Sequence, residues 1–485
     1  MKTTPRILLA VLLLIGSNAS AQPPRVILSL EEAISYTISE NPALKAAAYN
    51  LYSATQERRA MIGLRMPQIQ LVGNYTYLSK EIGLDFNHLK TPLRQIGGGL
   101  VSGGVIGPQL SPMIQELVGP LMEADWNLKL QDRSFGFVGG EVTMPIWLGG
   151  KINAANRAAK LNERSAEAQG VQTRNALISQ LVERYFGLAL AQQVIAVQEQ
   201  VVAGVQRHLN DAIALEQNGV IAPSERLYVA FQLAEAERAL EGARLEAQTL
   251  CAALSTTLGV EGAWQPVTAM FVVEDLGDMA YFQQLAQAEN PLLQQITLQR
   301  ALAEEGVRAQ RAEFLPQVVA MGGGSFYNYQ VSGLVPRWAV GVGVSLKLFD
   351  GLRREYKYAA TKQTARRVEE LTEEAECEIA LLVEKQYNQL LNYRNQLTAI
   401  EASLHFAEEY LRLKQASFKE GICSASELID AELNVAKVRT ERLQAAYHFD
   451  LSLAQLLESA GISDTFGAYP RRADARTILF HTTNQ

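Results

Sequence analysis

The sequence predicts a mostly α-helical chain with membrane-type β-strands, arranged as two tandem repeats that each supply two strands and one long helical hairpin. Three observations carry this. The segments ENPALKAAAYN from Glu40 and ENPLLQQITLQ from Glu289 match, as do RMPQIQ around Pro67 and FLPQVV around Pro316, both pairs standing 249 positions apart. Two stretches of roughly 70 residues, Gly150 to Gly219 and Gly351 to Gly421, contain no proline, a length no compact core requires. Strict period-2 alternation precedes each of these stretches.

In chain order, Lys2 and Arg6 lead into the apolar run Ile7 to Ile15, and Ala19-Ser20-Ala21 places small residues where a signal peptidase cuts. Residues 1–21 are therefore expected to be a secretory signal peptide, followed by Gln22 rather than a lipid-accepting Cys. The first repeat, 22–262, opens with helices over 30–66. Ser29-x-x-Glu32 forms a capping box. Asn41-Pro42 restarts the helix, Asn as cap and Pro at the first position, and Pro67 ends it. Strands are expected at about 68–78 and 134–147. Ile69, Leu71, Tyr75 and Tyr77 share one face of the first, with Gln68, Gln70, Asn74 and Thr76 on the other. Between them lies an insertion, about 79–130. Its Gly and Pro content suggests a loop with a short helix around Met113 to Leu121.

The second repeat, 263–463, reads in the same order: helices 278–314, strands about 317–329 and 337–349, and a hairpin over 351–461. In RWAVGVGVSLKLF the apolar face carries Trp338, Val340, Val342, Val344, Leu346 and Leu348. WLGGKINAANRAAK from Trp147 matches LFDGLRREYKYAAT from Leu348 at a spacing of 201, so the first repeat is longer by about 48 residues, the insertion. The tail, 464–485, reads as a polar extension without a role.

The hairpins, 150–259 and 351–461, each begin with a helix of about 100 Å at 1.5 Å per residue. Ile379, Val383, Gln386, Leu390, Tyr393, Leu397, Ile400, Leu404, Ala407 and Leu411 step by four and three, a coiled-coil seam. Val229, Leu233, Ala236, Leu240, Ala243, Ala247, Leu250 and Leu254 do the same on a return helix. QNGVIAPSERL from Gln217 and KEGICSASELI from Lys419 are the tips. Gly219 and Gly421 stop one helix in a left-handed conformation, and Pro223 or Ser424-x-x-Glu427 starts the next.

Composition excludes several classes. A net charge of -7 disfavours nucleic acid. Cys251, Cys377 and Cys423 lack disulfide or metal spacing, and His88, His208, His405, His448 and His481 are dispersed. GGGLVSGG lacks the Lys of a phosphate loop. No catalytic residue, metal or cofactor is expected. Four spanning strands cannot close a barrel, since barrels have at least eight and open edges are not tolerated in lipid. The chain must then share its barrel with copies of itself: two copies give a filled eight-stranded barrel, three a twelve-stranded pore. The alternative is a non-conducting coiled-coil scaffold whose strands form a small soluble sheet.

The repeated ENPxL blocks, the strand beginnings after Pro67 and Pro316 and the Gly-x-x-x-x-Ser-Glu-Leu tips together resemble the TolC-type outer-membrane efflux proteins over nearly the whole mature chain. That resemblance implies a homotrimer with a twelve-stranded barrel in outer-membrane lipid and an α-helical periplasmic tunnel. It further implies a passive exit duct serving an RND- or ABC-type inner-membrane pump through a periplasmic adaptor, with drugs, metals or proteins as cargo. It places Glu427 and Asp430, three apart on one helical face, at a constriction where three copies would gather six carboxylates and raise some of their pKa values. Ser224 and Glu225 fall at polar closing contacts of the first tip. Gly219, Val220, Gly421, Ile422 and Ser424 form the expected docking surface for the adaptor. Cys423 and Phe418 stand where the resemblance expects an Arg and a Tyr, so the closed state is expected to be looser or latched by other pairs.

Overall fold

A computed structural model describes residues 26–102, 111–420 and 422–480. The expected signal peptide and Gly421 lie outside the described residues. The elements run β1 (Val26–Leu28), α1 (Leu30–Glu40), α2 (Pro42–Gly63), β2 (Gln68–Tyr77), β3 (Ile82–Asp85), α3 (Lys90–Ser102), α4 (Ser111–Glu123), β4 (Asn127–Gln131), β5 (Ser134–Leu148), α5 (Lys151–Gln217) and α6 (Pro223–Leu258). Then come β6 (Trp264–Pro266), β7 (Met270–Val273), α7 (Met279–Glu289), α8 (Pro291–Arg311), β8 (Gln317–Tyr329), β9 (Trp338–Ser345), α9 (Arg353–Lys419), α10 (Ala425–Ser459), a 3-10 segment Ser463–Arg471 and β10 (Ala475–Ile478). α5 and α9 are each 67 residues long, and their return helices α6 and α10 are 36 and 35.

The chain divides into two compact units. One holds Ser53–Glu163 and Gln299–Glu369 and contains a four-stranded antiparallel sheet of order β2-β5-β8-β9. Among the described residues no strand pairs with the outer edge of β2 or of β9. Alternation fixes which side chains share a face. Ile69, Leu71, Tyr75 and Tyr77 of β2 and Trp338, Val340, Val342 and Val344 of β9 are all exposed, so this apolar face is bare in one chain.

The insertion carries the short helix expected around Met113 to Leu121, as α4, but is more ordered than the loop expected around it. β3 and β4 pair antiparallel, and α3 and α4 lie between them. Glycines and Pro120 suggest a loop, yet Leu93, Ile96 and Leu100 of α3 and Met113, Leu117 and Leu121 of α4 recur at helical spacing, and that periodicity decides the outcome.

The other unit holds the rest of the hairpins and their common core. β1 pairs parallel with β6, and β7 antiparallel with β10. Tyr185 Oη donates to Leu28 O at 2.8 Å and accepts from Thr268 N at 3.0 Å, tying β1 to the turn before β7. The rings of Phe186, Phe271 and Phe466 stand 6.0 to 6.3 Å apart, fully buried. Phe466 and β10 belong to the tail, so the tail is core rather than a spare extension. Its few apolar residues are too short a run to show periodicity, and only tertiary pairing with β7 reveals them. A window of α5 is apolar enough to cross a bilayer. Instead Ile178, Leu181, Val182, Tyr185, Phe186 and Leu188 of α5 are buried within this unit.

The recurring Asn-Pro blocks acquire a reason here. Asn41 Oδ1 caps α2 by accepting from Ala43 N at 2.8 Å, while Nδ2 donates to Thr257 O at 2.8 Å. Asn290 repeats both, from Leu292 N at 2.9 Å and to Ser459 O at 2.7 Å. Each Asn thus joins a helix start to a return-helix end. The glycines that follow, Gly259 and Gly461, have φ of 73° and 81° and press so closely on Glu40 O and Glu289 O that a Cβ would lie 3.0 and 2.4 Å from them.

Candidate functional site: the hairpin tips

α5 ends with Gly219 N donating to Glu216 O and Val220 N to Leu215 O, both at 2.9 Å. Gly219 is left-handed at φ 69°, so the pattern is a Schellman stop. Ile422 N donates to Ser417 O at 2.9 Å, the same six-to-one bond at the second tip. Val220 and Ile422 are thereby held out, 64% and 81% exposed. Pro223 occupies the first turn of α6 after Ala222, with Ser224 exposed and Glu225 half-buried. Ser424 caps α10, its Oγ accepting from Glu427 N at 3.3 Å.

Each tip carries an ion pair across its own corner. Arg226 Nε lies 2.6 Å from Glu216 Oε2, and Lys414 Nζ 2.6 Å from Glu427 Oε2. Cys423 Sγ donates to Glu427 Oε2 at 3.3 Å. The Lys414 hydrogen bond, followed by that from Cys423, holds the Glu427 carboxyl below the usual carboxylate range. Burial, then the bond to Glu427, pushes the Cys423 thiol up. Glu427 therefore has a cation of its own, which the sequence reading of six like charges did not foresee. Asp430, one turn on, is exposed.

The two hairpins meet just behind the tips. Val201, Val205 and Ala212 of α5, Val229 and Ala236 of α6, and Ala425 and Ile429 of α10 form one buried cluster, with Phe418 packed against it. Beside it His208 Nε2 lies 2.6 Å from Glu432 Oε2, and Arg439 donates to Gln200 Oε1 and Glu408 Oε1 at 2.7 and 2.8 Å. Sequence reasoning passed over His208, Glu432, Arg439, Lys414 and Arg226, because their partners lie 10 to 239 positions away. The available signal was Gly204, one of three glycines within α5, four residues before His208. Among the described residues no group of three or more His, Cys, Asp or Glu side chains gathers as a metal site.

Residues 283–462 match the family model described as Outer membrane efflux protein. Over that stretch, 180 of the 485 residues, the chain is similar to outer membrane efflux proteins. It is 25% identical over 316 residues to the alkaline protease secretion protein AprF of Pseudomonas aeruginosa, an alignment covering 59% of this chain and 62% of that relative. The chain thus spans less than two thirds of that curated relative's length. Its fold is that of the channel CusC, with a TM-score of 0.71 at 15% identity over 92% of this chain and 95% of the other. The outer-membrane channel OprN gives a TM-score of 0.71 at 16% identity over 89% of each chain.

Proposed function

We propose that three copies of this chain form an outer-membrane exit duct, a passive conduit that receives its cargo from an inner-membrane pump through a periplasmic adaptor. The observation that carries it is the four-stranded sheet with two unpartnered edges and a bare apolar face. In lipid such edges must find partners, and three copies supply twelve strands. The long hairpins would extend the conduit into the periplasm. Exposed Val220 and Ile422 offer the adaptor an apolar foothold at the tips. Asp430, with Glu427 partly neutralised by Lys414, would face the constriction and favour cations. The match to a protease secretion protein supports a polypeptide cargo and an ABC-type pump.

Planar-bilayer recording tests the reading. The purified mature protein should give cation-selective steps, and Asp430→Asn should reduce the selectivity. A protein that is soluble without detergent and gives no current would instead be the coiled-coil scaffold.

A further inference from the structure

His208 on α5 and Glu432 on α10 belong to different hairpins, 224 positions apart, yet their side chains meet at 2.6 Å and are only 13% and 12% exposed. Gly204, one turn before His208, makes the room: a Cβ there would lie 1.7 Å from Glu432 Oε1. The Phe418 ring meets the imidazole edge-on at 6.5 Å. A carboxylate set this deep is costly without its donor.

We propose that His208 and Glu432 are positioning residues of the gate: their pair, admitted by Gly204, clamps the second hairpin to the first and holds the tips in the resting, closed arrangement. This rests on the duct reading above. Neighbouring charges are engaged or face solvent. On α5, Arg207 Nε turns back to Ala203 O and Asp211 is exposed. On α9, Lys414 is paired with Glu427 of α10, and Asp430 of α10 is exposed. On α6, Arg226 is paired with Glu216.

The test is resting conductance in planar bilayers, with hydrogen exchange of residues 425–435 measured on the same detergent-purified samples. His208→Leu should raise resting conductance roughly fivefold or more and speed exchange. Replacing both partners, His208→Leu with Glu432→Leu, should bring both readouts back toward the parent. His208→Gln can still donate a hydrogen bond to Glu432 and should lie closer to the parent than His208→Leu in both readouts. Gly204→Ala favours the helix, yet by displacing the Glu432 carboxylate it should act like His208→Leu. Unchanged conductance and exchange in His208→Leu would overturn the clamp. If the parent gives no current the duct reading fails, and exchange alone still decides whether the pair holds the hairpins together.

Discussion

Asp450 shows how much one side chain can report. It is fully buried, Oδ2 accepts from Phe271 N at 3.3 Å, and Oδ1 has no partner among the described residues. Burial pushes its carboxyl well above the ordinary value, against the lowering effect of the Phe271 bond. Between the unfolded value, about 3.9, and the raised folded value, the native state holds a proton that the unfolded chain has lost. Stability from this group is thus complete below the unfolded pKa and drains away as pH rises. Asp450→Asn should melt higher than the parent at neutral pH, by roughly 1–3 kcal/mol, and the gap should close toward pH of about 4. A variant that melts lower at neutral pH would mean that the carboxylate is ionised and matched. The Asn-Pro caps act at the same scale. Asn290→Ala should cost about 1–3 kcal/mol in denaturant titration, since it removes a cap and strands Ser459 O. The capping half was legible in the sequence, because Asn before Pro reads locally. The bond to a helix end 169 positions away was not.

Among the elements, periodicity was legible wherever it ran long. The seam read on α9 is buried at Val383, Leu390, Leu397 and Ala407, with Gln386 tolerated at 9% exposure. Leu390→Ala should destabilise by about 2–5 kcal/mol, and a partly buried neighbour such as Leu404→Ala by clearly less. Short elements carried no such signal. β1, β6, β7 and β10 have three or four residues each, and their identity comes from pairing across the chain. The tail consequently read as a polar extension with no assignable role. Phe466→Ala tests the contrary finding: a loss of about 3–5 kcal/mol is expected for a ring inside the core, and near-neutral melting would return the tail to the status of an extension. The tips were legible as corners, through their glycine and capping residues. Their ion pairs were not, because Glu216 with Arg226 and Lys414 with Glu427 depend on how the chain doubles back.

For the whole molecule, the decisive quantity is surface that one chain leaves uncovered. α2 buries no residue, with Tyr49 and Tyr52 75% and 65% exposed, and the strand faces of β2 and β9 are bare. A water-soluble sheet would tolerate a charge on that face, and a sheet in lipid would not. Val342→Arg, at a position 63% exposed in the single chain, should cost about 2–4 kcal/mol in folding into bilayers and be close to neutral if the sheet faces water. Number of strands sets the rest: a sheet of four placed in lipid would have to be completed by copies. The mass of the particle extracted from outer membranes in mild detergent, read by native mass spectrometry, tests this most directly. Three chains per particle, lost when detergent is withdrawn, is the expected result. One chain per particle, stable in buffer alone, would contradict it.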